Sequence, residues 1–200
     1  MEGQYYLSRK TPSEMLGYYF PFLSDLWNIF QNIQSEILQK QLHLSSEDFV
    51  SENHLHFTMC MVDLFNLNPS KKRSFYNYIQ GTKTIKFPVI LTIDGVKKIG
   101  PKTVLTFKRN GEIKPLIKFH QKIEEKLLNN YWGSVNYVSN FINGQFYVTL
   151  MHGRNNVCLD FELMDFLNKE FFKDNNFSFP LPCINIYQPF DNGIKEIKFS

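Results

Sequence analysis

Two short apolar runs constrain the fold of this chain more than any other feature. Residues 55–62 and 145–151 are rich in strand-forming side chains, and each follows a helical pattern and a polar loop. Because both runs are shorter than a usual helix, they are predicted to be buried β-strands. The fold is therefore expected to form around two strands that lie about ninety residues apart in the sequence.

The two runs carry a related pattern of polar residues. Side chains alternate along a strand, so His56 and Thr58 are expected to share one face, opposite Phe57. In the second run Tyr147 and Thr149 share a face in the same way. Each strand thus presents an aromatic or imidazole ring followed, two positions later, by a threonine hydroxyl.

The rest of the chain alternates helical and strand patterns, which predicts a single α+β domain over residues 1–200. The predicted elements are an opening strand at 4–7, a helical turn at 15–20, helices from Asp25, over 68–79, over 114–130 and over 159–172, a strand pair at 87–93 and 103–107 with a connection at 94–102, and a closing hairpin of 183–187 with 194–199.

This order of elements, together with the motifs at His56-Phe57-Thr58 and Tyr147-Val148-Thr149, resembles the 2H phosphoesterase superfamily. Within it, the chain resembles the branch with the nuclear A-kinase anchoring protein domain and the activating signal cointegrator subunit. The likeness covers residues 90–95 and 102–107, the helix after Lys114, and the ending at 184–187 with 191–193. The resemblance implies a bilobal α+β fold: two antiparallel-sheet lobes, helices packed outside and a central cleft.

The resemblance also implies a metal-independent chemistry at the four motif residues. The histidine of one motif removes a proton from the attacking hydroxyl, and the histidine of the other protonates the leaving oxygen. The two threonines donate hydrogen bonds to the phosphate. His56, Thr58 and Thr149 match the two motifs, whereas Tyr147 stands in the place of the second histidine. Tyrosine, with a pKa near 10, is a poor base at neutral pH. We therefore expect a degenerate domain that binds RNA or a nucleotide phosphodiester, with catalysis weakened or lost.

Other functions remain open at this stage, and whether the chain is an enzyme is undecided. It could be an active phosphodiesterase on 2′,5′-linked oligonucleotides, 2′,3′-cyclic phosphates or RNA ends, with His56 and Tyr147 as its acid–base pair. It could also be a protein–protein scaffold in an RNA-processing assembly. Tyr147 could stack on a base. His152 has the opposite strand parity and could reach the cleft only through a bulge.

Charge is distributed unevenly along the chain. Residues 71–126 hold fourteen Lys and Arg against four acids, whereas the other residues hold eight against fifteen. A positive middle third suits a phosphate-bearing partner, although the same lysines could be scattered, solvated positions. The candidate RNA- or phosphate-binding residues are Lys97, Lys98, Lys102, Lys108, Arg109 and Tyr76.

Several function classes are not indicated. The three cysteines, Cys60, Cys158 and Cys183, form no CxxC pair, which argues against a disulfide framework or a zinc ribbon. His54 and His56 have no third ligand at a recognisable spacing, so neither a metal nor a cofactor is predicted. The sequence has no apolar leader or membrane span, and the prediction is an intracellular protein of the cytoplasm or nucleus. The sequence does not predict an oligomeric state.

Overall fold

The computed structural model describes residues 14–21, 24–51, 54–63, 67–81, 85–131, 136–139, 141, 144–152, 159–190 and 193–196. The strands are β1 (Glu14–Tyr19), β2 (His56–Asp63), β3 (Val89–Ile99), β4 (Lys102–Phe107), β5 (Asn136–Ser139), β6 (Tyr147–Met151), β7 (Ser178–Leu181), β8 (Asn185–Phe190) and β9 (Gly193–Glu196). The helices are α1 (Asp25–Lys40), α2 (Pro69–Gly81), α3 (Lys114–Tyr131) and α4 (Phe161–Phe166). A π-helical segment, Leu167–Phe171, and a last turn, Phe172–Asp174, continue α4.

The strands form one antiparallel sheet with the two motif strands in its middle. The order is β7-β3-β4-β6-β2-β1-β8-β9, and β5 adds to β2 beside β6. Three strands therefore lie outside β6 and three lie outside β2. This arrangement confirms the predicted α+β fold with two antiparallel halves that meet at the central pair.

The helices begin where the sequence places their caps. Ser24 accepts a hydrogen bond from the backbone N–H of Trp27 at 3.2 Å, which satisfies an exposed donor in the first turn of α1. Asn68 does the same for Lys71 at the start of α2, at 2.9 Å. The apolar faces of α1 then enter the core through residues with helical spacing, Leu26, Ile29, Phe30, Ile33 and Ile37.

Aromatic rings fill the core beneath the central strands. The ring of Phe57 lies 5.4 Å from that of Phe146 and 6.2 Å from that of Phe107. Phe107 in turn lies 5.7 Å from Phe179 of β7. His120 of α3 packs edge-on against Phe146, at 5.5 Å, so α3 covers this face of the sheet. The opposite face of the central strands is the one that carries the motif side chains.

Two of the predicted elements are wrong. Residues 15–20 are not a helical turn, because Leu16 pairs with Cys60 of β2 on one side and with Ile186 of β8 on the other. Residues 94–102 are not a loose connection, because β3 continues past an irregular register at Gly95 to Ile99. The β3–β4 hairpin turns at Gly100, whose φ of 56° favours glycine.

Some elements were missed, and others lie outside the described residues. The sequence patterns did not predict β5 or β7, which are only four residues each. The predicted strand at 4–7, the tip of the last hairpin at 191–192 and residues 197–199 lie outside the described part of the chain. No helix within the described ranges is long and apolar enough to cross a membrane.

Candidate functional site

The two motifs meet through a single pair of residues at the centre of the sheet. Phe57 of β2 pairs with Val148 of β6 in antiparallel register. This register sets His56 beside Thr149 and Thr58 beside Tyr147. Because Phe57 and Val148 are buried on the core side, the four motif side chains lie together on the opposite face. The arrangement has approximate twofold symmetry, with a ring and a hydroxyl from each strand.

The strands on either side complete the floor of this site. Thr106 of β4 pairs with Tyr147, and Gly17 of β1 pairs with Thr58. A Cβ atom on Gly17 would collide with the carbonyl oxygen of Phe57, so glycine is what lets β1 approach β2 here. Thr58 and Thr106 are buried, at 3% and 2% exposed, and the hydroxyl of Thr106 donates to the carbonyl oxygen of Gly95 in β3 at 3.3 Å.

His56 is held in one tautomer when neutral. Its Nδ1 lies 2.6 Å from the carbonyl oxygen of His54. Since a carbonyl only accepts, Nδ1 carries the proton and the lone pair of the neutral ring is on Nε2. Burial lowers the pKa of His56, the hydrogen bond to His54 opposes this, and the positive charge of Lys102 lowers it further. At neutral pH the ring is therefore a base that can accept a proton.

Tyr147 has the complementary protonation state. Its side chain is 7% exposed, and burial raises the pKa of its phenol above the ordinary value of 10.0. The hydroxyl therefore keeps its proton at neutral pH. It can donate a hydrogen bond or a proton, but it cannot act as a base there.

The predicted cations divide between the site, its rim and more distant positions. Lys102 is half-buried at the start of β4 and close enough to His56 to influence its charge, while burial lowers its own pKa. Lys97 pairs in register with Val104 and donates to the side-chain oxygen of Gln145 at 2.5 Å, at the rim. Lys98 pairs with Thr103 and is exposed.

The other predicted binding residues lie away from the four motif side chains. Lys108 is exposed and donates to Asn176 at 3.1 Å, beyond the end of β4. Arg109 lies against Gly144, three residues before Tyr147. Tyr76 is half-buried on α2, with its ring 6.4 Å from that of Phe75. The neighbouring Tyr78 donates to the backbone of α3, so α2 packs beside α3 and not beside the motifs.

His152 lies next to an irregularity in β6. Thr149 pairs with Val104, but Met151 pairs with Thr103, so β6 has one extra residue here and its alternation shifts. His152 lines a pocket together with His54 and the 3₁₀ turn at Ser46–Asp48. The bulge that His152 would need to change strand face is therefore present, and His152 lines the pocket beside His54.

The site offers no evident metal centre. Within the described ranges, no group of three His, Cys, Asp or Glu side chains could hold a metal ion. Cys60 is a buried free thiol whose pKa is raised by burial, so it is a poor ligand and a poor nucleophile.

The backbone matches solved structures of E. coli LigT, a 2H phosphoesterase. Its complex with 3′-AMP superimposes with a TM-score of 0.54 at 14% identity, over 94% of this chain and 95% of LigT. The complexes with NADP⁺ and with phosphate give 0.52 and 0.51 at the same identity and coverage. The fold is LigT-like. No protein-family model and no curated protein sequence matches this chain, so the likeness concerns the fold alone.

In this LigT-like sheet, sequence reasoning missed two residues of the site. Thr106 was not singled out, although strand alternation predicts that it shares one face of β4 with Val104, the face that pairs with the motif residues of β6. Gly17 could not be found, because its role depends on how closely β1 approaches β2. The role of Gly17 is visible only once the strand order is known.

Proposed function

We propose that residues 1–200 form a degenerate 2H phosphoesterase-like domain that binds RNA or a nucleotide phosphodiester at the four motif residues. The observation that carries this proposal is the pairing of Phe57 with Val148, which sets His56 and Thr58 beside Thr149 and Tyr147. The LigT structures with 3′-AMP, NADP⁺ and phosphate support a ligand with a nucleotide phosphate.

The chemistry of the four side chains suits a phosphodiester. The hydroxyls of Thr58 and Thr149 donate to the two non-bridging oxygens, and Lys102 supplies a positive charge nearby. His56 and Tyr147 then flank the phosphorus on opposite strands. This places a proton acceptor on one side of the ester and a proton donor on the other.

Catalysis is weakened in this proposal because Tyr147 replaces an imidazole. A histidine with a pKa near neutrality exchanges protons in both directions, whereas a buried tyrosine can only donate at pH 7. The loss of one well-matched proton-transfer group costs about 10²–10⁴-fold in rate.

A second candidate is a working phosphodiesterase, and the protonation states favour it. Neutral His56 would take the proton of the attacking hydroxyl through Nε2, and Tyr147 would give its proton to the leaving oxygen. The phosphorus–oxygen bond to the leaving group breaks as the new one forms. The rate would then rise with pH through the lowered pKa of His56, with no second near-neutral limb.

The deciding experiment uses 2′,5′-oligoadenylate and an RNA that ends in a 2′,3′-cyclic phosphate, both without metal. His56→Ala tests the site, and His43→Ala, an exposed histidine beyond α1, is the matched control. Turnover that only His56→Ala abolishes establishes the working enzyme. Binding that only His56→Ala weakens, without turnover, establishes the degenerate domain.

The absence of both binding and turnover would contradict the two nucleotide functions. A scaffold in an RNA-processing assembly would then be the better interpretation, and it predicts no salt-dependent affinity for RNA. Placement in the cytoplasm or nucleus belongs to the same proposal. It is supported by the buried free thiol of Cys60, which suits a reducing compartment.

A further inference from the structure

A pocket of about 680 Å³ lies beside the His56 end of the motif strands. It is lined by the 3₁₀ turn Ser46–Asp48, Phe49, Ser51, His54 and His152. Small-molecule sites have volumes of about 300–1,000 Å³, so the pocket is large enough for a ligand of that kind.

One wall of this pocket is in contact with the motif site. The carbonyl oxygen of His54 accepts the hydrogen bond from Nδ1 of His56 at 2.6 Å, so a lining residue also holds the motif ring. The segment after the 3₁₀ turn runs along the end of β6, where the N–H of Val50 donates to the carbonyl of Leu150 at 3.0 Å. The pocket therefore adjoins the site on the side of His56.

The bulge in β6 brings the opposite wall to the face of the sheet that carries the four motif side chains, here called the motif face. Thr149 lies on this face, whereas Leu150 and Met151 after it are both completely buried in the core. Because two successive residues point into the core, the alternation shifts and His152 faces the same side as Thr149. His152 thus extends the motif face by one position beyond Thr149.

The chemistry of the lining differs from that of the motif residues. Glu47 and Asp48 bring two carboxylates, which repel a phosphate but accept hydrogen bonds from sugar hydroxyls and from amino groups. The imidazoles of His54 and His152 can each donate or accept. This mixture of acceptors and donors suits the sugar and base of a nucleotide better than it suits a second phosphate.

We propose that this pocket binds the nucleoside joined to the phosphate that occupies the four motif residues. The inference rests on the proposed function and states on which side of the phosphate the nucleoside lies, that of His56 and not that of Tyr147. Successive residues on one face of a strand lie about 7 Å apart. A sugar attached to a phosphate beside His56 and Thr149 therefore reaches the next position, where the pocket begins.

Two parts of the pocket are held rigidly by the protein. Phe49 is 5% exposed and its ring lies 6.3 Å from that of Phe30, so this part of the wall is anchored in the core. The hydroxyl of Ser51 lies 2.7 Å from Nδ1 of His54, and the N–H of His54 donates to the carbonyl of Ser51 at 2.9 Å. Nε2 is then the nitrogen of His54 that remains for a ligand.

The groups assigned to the nucleoside are Glu47 and His152. Asp48 is already engaged, because its carboxylate accepts from the backbone N–H and from the hydroxyl of Ser45, at 2.8 and 3.2 Å. Glu47 is exposed in the same turn, and His152 is half-buried across the pocket from it. A hydroxyl or amino group of the nucleoside can donate to the Glu47 carboxylate, and the imidazole of His152 can bond a second polar group.

The test compares 3′-AMP with inorganic phosphate, because the two ligands share the phosphate and differ by the nucleoside. The variant is Glu47→Ala/His152→Ala. Its matched control is His43→Ala/Glu112→Ala, which removes an exposed histidine and an exposed carboxylate that do not line the pocket. Glu47→Ala provides a single variant at an exposed position if the double variant is poorly folded. Binding is measured by NMR titration, which also covers weak affinities.

The pocket variant should bind 3′-AMP about 10- to 100-fold more weakly, because two hydrogen bonds to the nucleoside are lost, and Glu47→Ala alone about 3- to 10-fold. The affinity of Glu47→Ala for inorganic phosphate should not fall, because removal of a carboxylate lessens the repulsion of an anion. The control variant should match the wild type with both ligands. His56→Ala should weaken the binding of both.

Three outcomes would overturn the inference. Equal affinity of the pocket variant and the wild type for 3′-AMP, with binding still weakened by His56→Ala, would refute the pocket and leave the proposed function intact. A variant that loses inorganic phosphate as strongly as 3′-AMP would show that these residues support the phosphate site and not the nucleoside. A wild type that binds neither ligand would overturn the proposed function and this inference with it.

Discussion

Introducing a second imidazole with Tyr147→His is the most direct test of the proposed function. In the wild type, less than about one in a thousand phenols is ionised at pH 7, because burial holds the pKa of Tyr147 above 10. A histidine at the same position, opposite Thr58, would exchange protons in the neutral range. We expect kcat/KM for an RNA 2′,3′-cyclic phosphate to rise about 10²–10⁴-fold, which corresponds to about 2.7–5.4 kcal/mol of transition-state stabilisation.

The substitution also has a structural cost that the assay must allow for. Tyr147 is 7% exposed, so the smaller imidazole leaves some buried space unfilled. A large-to-small change of this kind costs about 1–3 kcal/mol, and the melting temperature of a domain this size falls roughly 2–4 °C per kcal/mol. Thermal melts therefore accompany the kinetics, and rates are compared at a temperature where both proteins are folded.

One further variant and one pH profile show whether the gain comes from a pair of histidines. The double variant His56→Ala/Tyr147→His should lose the gain, and Tyr147→His alone should show a bell-shaped pH profile with two near-neutral limbs. A folded Tyr147→His protein that binds 3′-AMP like the wild type but gains no activity would refute the reasoning. Position 147 would then not stand where the proton must be delivered.

Three other predictions concern stability. Burial lowers the pKa of His120 to about 4, so between pH 6.5 and 4 the unfolded chain takes up a proton that the folded protein does not. We expect the free energy of unfolding to be highest above pH 6.5 and to fall by about 3 kcal/mol as the pH drops to 4, and by much less in His120→Phe. Gly17→Ala should lower it by about 1–3 kcal/mol, because its Cβ would meet the carbonyl of Phe57, whereas Gly111→Ala, with open space around it, should have little effect; equal melting temperatures would contradict this account. Asn168 accepts from the N–H of Val96 at 2.7 Å and donates to its carbonyl at 3.1 Å; Asn168→Ala should speed amide hydrogen exchange at Val96, while unchanged exchange would mean that these bonds do not protect the edge of β3.

Local sequence signals were sufficient to predict an element where that element is long or carries its own cap. α1 begins at Asp25 after the Ser24 cap, and α3 begins at Lys114, as their patterns predict. The central strands were also predictable, because short apolar runs with β-branched and aromatic residues leave few alternatives. These are properties of neighbouring residues and need no knowledge of the rest of the chain.

Elements that depend on distant partners were not predictable in this way. β1 is a strand because β2 and β8 pair with its two edges, and nothing within residues 15–20 encodes those neighbours. The continuation of β3 past Gly95 instead comes from pairing with β4, and Asn168, seventy-two residues from Val96, bonds the N–H and the carbonyl of Val96 on the other edge of the strand. In β1, tertiary pairing overrides local propensity.

The same division applies to the candidate site. The sequence by itself determined that His56 and Thr58 share one strand face and that Tyr147 and Thr149 share another. That Tyr147 replaces a histidine is a prediction from the resemblance. Only the tertiary structure decided that these two strand faces lie side by side on the same face of the sheet, through the pairing of Phe57 with Val148. It also decided the protonation states of His56 and Tyr147, because a pKa depends on burial and on nearby charges. Strand alternation is a local property of the backbone, whereas register and desolvation arise only when distant segments pack together.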